Sequence, residues 1–169
     1  MKPLTHVLFA LLLAALQAAV LRWVGGGWFS LALLAACIVH QGLHGGNVDG
    51  SVASAGIGYV MDLTSGSTKG LMTALAVLLF IVVRATSAAV DVRSRSAFAL
   101  LSGGGAFFLS LAAMILTRYT SAPEAAPGAA LLPRMLLEAL LTGALAPFVG
   151  MALTRIDGLF QREEAGLLR

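Results

Sequence analysis

The chain is short of charge, of aromatic rings and of cysteine. Only 11% of its 169 residues are charged and 59% are hydrophobic, whereas an average soluble domain is roughly 25% charged. So few polar groups cannot cover a soluble globule. This excludes a soluble catalytic domain and points to an integral membrane protein. The single cysteine, Cys37, lies within an apolar run, which excludes an intramolecular disulfide, a thiol redox pair and a cysteine zinc cage. The net charge of +3 is spread over short loops. It fits orientation in a bilayer and not nucleic-acid binding, which needs a concentrated basic patch. The apolar stretches run continuously and do not alternate, which disfavours a β-barrel. What the chain does have is 19 glycines among abundant Ala and Leu, a composition suited to helices packed closely through small side chains.

At ~20 residues per crossing, the length leaves room for about five or six helical spans and little outside the bilayer. The first apolar run, Leu4 to Leu21, is interrupted only by Thr5, His6 and Gln17 and closes at Arg22 and Trp23. A cleaved signal peptide is the rival reading, but the run exceeds the roughly 7 to 15 apolar residues usual there. Two shorter pieces follow, Trp28 to His40 and Ser51 to Met61, separated by the glycine-rich link Gln41 to Gly50. They are read as two thin or tilted crossings, or as a re-entrant pair covered by other helices. Longer runs cover Leu71 to Val90, Ala97 to Leu116 and Ala129 to Leu153, the last holding Pro147 as a kink position. The expected fold is an all-α membrane bundle of six spans, or five if residues 28 to 61 cross once. Residues 1–154 form its single domain, and 155–169 a cytoplasmic juxtamembrane tail in which Ile156, Leu159 and Phe160 mix with Arg162, Glu163 and Glu164. Such a tail suits a short helix on the membrane surface.

Six crossings put both termini on one side. Lys2, Arg84, Arg93, Arg95, Arg155, Arg162 and Arg169 share that side, while Arg22, Lys69 and Arg118 fall opposite. The excess of positive charge predicts that the termini are cytoplasmic.

Arg84 and Glu138 are the charges set deepest within apolar runs, where an ionisable group costs at least ~2.5 to 3.5 kcal/mol unless paired or hydrated. Arg84, near the end of its span, is placed to snorkel. Arg134 precedes Glu138 by one turn, so the two form an ion pair on one face or, with Arg84, line an intramembrane polar pocket. His40 and His44 have i, i+4 spacing, with Asn47 and Asp49 nearby. Position 41 is Gln where a zinc-protease helix needs Glu, and the surrounding glycines disfavour a continuous helix. Two ligands alone do not make a zinc site, so these histidines are read as loop or interfacial residues, with no metal and no cofactor expected. An intramembrane hydrolase built on His40, His44 and Asp49 lacks a nucleophile and a complete metal set. Gly66, Ser67, Thr68, Lys69 and Gly70 do not fit a phosphate-binding loop, because Thr precedes the lysine and Gly follows it. No catalytic signature is present, and the chain is read as a non-enzyme.

The most informative stretch is Gly50 to Gly70, in which Gly58, Asp62, Gly66 and Gly70 recur every four residues. Ser54 and Gly58 form a small face for close helix approach. Asp62, at its end, is placed to cap the next turn through backbone N–H groups, and Gly66 and Gly70 permit a tight reversal. A capped helical hairpin accounts for these residues without any further role.

Gly58, Asp62, Leu63, Ser65, Gly66 and Gly70, followed by a long apolar helix, resemble the signature of the MreD family of bacterial rod-shape-determining membrane proteins. The length, the short central spans and the brief charged tail resemble that family as well. Ser54 stands where a further glycine is expected, and Thr68 and Lys69 replace an apolar pair. The resemblance implies a non-enzymatic inner-membrane subunit of the cell-elongation machinery. Such a subunit docks the single-span protein MreC and helps couple MreB filaments to membrane peptidoglycan synthases. MreD is similar in plan to the substrate-binding components of energy-coupling-factor vitamin transporters, which is the alternative reading. Its ligand would need a polar cavity, for which Asp62, Thr64, Thr68, Lys69, Arg134 and Glu138 are candidates.

Overall fold

In a computed structural model of the chain, residues 2–23, 32–65, 69–89, 94–120 and 131–167 are described, with side chains for 4–20, 22–23, 32–65, 69–88, 94–119 and 131–158. They form six helices: α1 (Lys2–Trp23), α2 (Leu33–His44), α3 (Asn47–Ser65), α4 (Leu71–Ala89), α5 (Arg95–Thr120) and α6 (Leu132–Leu167). Three of them, in α4, α5 and α6, are long and apolar enough to cross a bilayer, while Leu4–Val20 and Leu33–His44 are shorter apolar helices. Such an all-α bundle is that of a multi-pass membrane protein.

The centre of the bundle is α2. Every residue from Leu34 to Gly42 is buried, and α2 touches all five other helices, as expected of a helix that is apolar on every side from Leu33 to Val39. At 12 residues it spans about 18 Å, well short of the ~30 Å hydrocarbon layer. It also starts inside the bundle, where the amide of Ala32 donates to Thr142 Oγ1 of α6 at 3.1 Å. That bond supplies a partner to an N–H beside the first turn, where no side chain of α2 caps it.

The glycine-rich link is far shorter than its composition suggests. Residues 41–44 continue α2 and residues 47–50 begin α3, which leaves only Gly45 and Gly46 between the helices. The reason is packing. A methyl group at Gly42 would lie 2.6 Å from Val83, and one at Gly50 2.7 Å from Phe80, so both glycines let α4 press onto the α2–α3 corner. Bare backbone also brings α5 and α6 together, where a methyl group at Gly103 would meet the Ala139 carbonyl at 2.9 Å and one at Gly143 the Ala99 carbonyl at 3.0 Å. Close backbone approach of this kind is the usual basis of helix association in lipid.

The last helix runs unbroken through Pro147 and past residue 154. The boundary drawn between residues 154 and 155 therefore falls inside α6 and not at a link. Leu153 is fully buried and Asp157 is engaged with α1 and α2, so the helix stays tied to the bundle for at least one turn beyond the expected end of the span.

Candidate functional site

At one end of the bundle lies the hairpin of α3 and α4. A methyl group at Gly58 would sit 2.6 Å from the Thr73 Cα and 2.7 Å from the Ala76 Cβ, so only glycine allows the helices to cross there. Ser54, one turn earlier, is fully buried on the same face, and among the described residues its hydroxyl has no hydrogen-bond partner. One turn beyond Gly58, Asp62 reaches across to the start of α4. Its Oδ1 accepts the Met72 N–H at 2.8 Å, and its Oδ2 accepts the N–H groups of Gly70 and Thr73, each at 3.1 Å, and the Thr73 hydroxyl at 2.6 Å. A carboxylate from one helix thereby caps the N-terminus of the next. Burial pushes the Asp62 carboxyl up, but the Thr73 hydroxyl and the three backbone donors outweigh it and hold the group below the usual carboxylate range. Gly70 has φ +91°, a left-handed conformation that favours glycine. Leu63 and Ser65 face outward, and Gly66 lies outside the described residues.

Near that hairpin, Glu138 is half-buried and accepts a bond from Ser110 at 3.4 Å. It lines a recess of about 350 Å³ with Gln17, Thr64 and Ser65, and an adjoining groove with the exposed Arg134. Among the described residues no ion pair joins Arg134 to Glu138. Of the polar groups named for a ligand cavity, Thr64 and Glu138 line the recess, Asp62 is occupied as a cap, Lys69 is exposed and Thr68 lies outside the described residues.

Arg84 does not join them. It lies toward the other end of α4, where its Nη1 donates to the carbonyls of Gly45 at 3.0 Å and Gly42 at 3.4 Å. The three charges expected to share one polar pocket therefore occupy two ends of the bundle. Arg84 caps the C-terminus of α2, where four carbonyls lack intrahelical partners and a cation is favoured.

The end holding Arg84 also contains a cluster that local spacing does not reveal. Because α2 continues through Gly42, His40 and His44 do share a face, and their rings stack with centroids 4.6 Å apart. The closest polar partners of His40 come from elsewhere. Asp157 of α6 places Oδ2 3.0 Å from His40 Nε2 and Oδ1 3.0 Å from His6 Nε2 of α1. The only sequence signals for this cluster were a histidine near the start of one apolar run, another at the end of the next, and an acidic residue one turn past Leu153.

The geometry defines a class: a multi-pass helical membrane protein with polar residues gathered at the two ends of an apolar bundle. Comparison with known protein families, with curated proteins and with solved structures finds no match.

Proposed function

We propose that this chain is a non-enzymatic inner-membrane subunit of the bacterial cell-elongation machinery, of the MreD type. In this reading it docks an MreC-like single-span protein and helps link MreB filaments to the membrane peptidoglycan synthases. The observation that carries the reading is the α3–α4 hairpin. Gly58, Asp62 and Gly70, through which the sequence resembles the family, each do a distinct job there: close crossing, capping and left-handed reversal. The apolar outer faces are consistent with a scaffold. Val48, Val52, Tyr59 and Leu63 of α3 are all exposed, and such faces meet lipid or another helix in a membrane.

The recess beside Glu138 is large enough for a small ligand, within the ~300 to 1,000 Å³ usual for such sites. However, among the described residues no aromatic side chain lines it, so none of them offers a vitamin ring a stacking partner. Affinity purification of the tagged protein from its native membrane decides between the two readings. Docking predicts recovery of an MreC-like protein at fixed stoichiometry, and a correctly inserted Asp62→Ala variant should recover less of it. Purification of the protein alone with a bound vitamin would overturn the scaffold reading.

A further inference from the structure

The hairpin and its docking role leave the imidazole–carboxylate cluster at the other end unexplained. His6 and His40 are 5% and 2% exposed within an otherwise apolar bundle, where a buried polar ring is unfavourable unless its nitrogens are satisfied. Both rings aim Nε2 at a different oxygen of the same carboxylate, each at 3.0 Å. The residues come from three helices, α1, α2 and α6, so their convergence is a product of the fold.

The arrangement has the composition of a ligand set. Two imidazole nitrogens and a carboxylate oxygen, one from each residue, lie within 4.8 Å of one another. Tetrahedral zinc, with bonds of ~2.0 to 2.2 Å, holds its ligand atoms ~3.3 Å apart, so a contraction of at most roughly 1.5 Å forms the site. Each Asp157 oxygen already lies 3.0 Å from one of the two Nε2 atoms, and the Asp157 side chain, 30% exposed, is freer to adjust than the buried histidines. His40 is held further by stacking on His44 and by the edge of Phe98, whose ring centroid is 6.4 Å away. The cluster forms part of the wall of a recess of about 440 Å³, with Asp49 and His44 also on its lining, and this supplies space for water to complete the coordination.

We propose that His6, His40 and Asp157 bind a divalent transition-metal ion of the zinc class, tying together the ends of α1, α2 and α6. Nitrogen and oxygen donors in a 2:1 ratio favour zinc and its first-row neighbours over calcium and magnesium, which take oxygen, and over copper(I), which takes sulfur. In the bound form each Nε2 lone pair faces the ion and the ring proton resides on Nδ1. The site rests on these three residues alone and does not depend on the docking role.

The test uses the full-length protein in detergent, stripped with a chelator and then equilibrated with Zn²⁺ or Co²⁺. Retention of roughly one ion per chain, a melting temperature that rises with Zn²⁺ concentration and a low-coordinate Co²⁺ absorption spectrum are expected. His6→Gln, His40→Gln and Asp157→Asn should each weaken binding by more than the ~10- to 100-fold typical of losing a supporting outer-shell partner. The proposal fails if Zn²⁺ neither co-elutes with the wild-type protein nor shifts its melting, because the cluster is then a hydrogen-bonded clamp only. It fails equally if binding survives in all three variants. Should the variants not fold, the chelator and Zn²⁺ titrations of the wild-type protein still decide the matter.

Discussion

Single side chains at the ends of this bundle carry more of its architecture than their number suggests, and Asp62 is the clearest case. It satisfies the N–H groups of Met72 and Thr73, in the first turn of α4, and that of Gly70 before it. Asp62→Ala leaves those donors without the carboxylate. A lost N-cap typically costs about 0.5 to 2 kcal/mol, and a reduction of that size is expected in denaturant unfolding of the detergent-solubilised protein. The carboxyl is held below its ordinary range in the folded state, so its contribution is fully present above the unfolded value near pH 4 and fades as the pH falls through the folded value. The wild-type protein should therefore lose stability in acid more steeply than Asp62→Asn, which has no charge to lose. Equal slopes for the two proteins would remove the carboxylate from the account.

At the scale of elements, α4 is pinned at both ends by opposite charges: Asp62 caps its start, and Arg84 near its finish caps α2. Arg84→Gln should loosen the α2–α3 corner by about 1 kcal/mol, within the range for a charged group at a helix terminus. Hydrogen exchange should localise the effect to residues 42–46, while amides at the centre of α2 keep their protection. Uniform loss across the bundle would instead mark Arg84 as a global packing residue. The same corner shows what the sequence made legible. The apolar runs of α1, α4, α5 and α6 announced four helices, because a bilayer demands long uninterrupted hydrophobic stretches. The glycines of residues 41–50 read as a link because helix propensity is a local quantity, whereas Gly42 and Gly50 are helical through contact with Val83 and Phe80. Asp62, Gly58 and Gly70 were legible from their four-residue spacing. The pairing of His40 with Asp157 was not, since 117 positions separate them and no local pattern encodes their meeting.

For the whole molecule, contacts at the two ends fix how the chain is threaded. His6 near the start and Asp157 near the close of the last helix touch each other, and His40 of α2 meets both. Arg84 of α4 reaches the α2–α3 corner at that same end, while Asp62 joins α3 to α4 at the other. Successive helices therefore alternate in direction, and the start of α1 lies beside the turn of α6 that holds Asp157. The side follows from the expectation set by the sequence, in which Lys2, Arg84, Arg93, Arg95, Arg155, Arg162 and Arg169 on the terminal side outnumber Arg22, Lys69 and Arg118 opposite. An excess of positive charge marks the cytoplasmic face. A fluorescent protein fused after residue 169 should accordingly be bright, and alkaline phosphatase fused there should be inactive. Fused after Tyr119, at the far end of α5, the phosphatase should become active. Activity of the phosphatase at both positions would contradict the alternating path. A reversal at both would keep that path but turn the bundle over, which would place the histidine cluster on the outer face and show that the few basic residues here do not govern insertion.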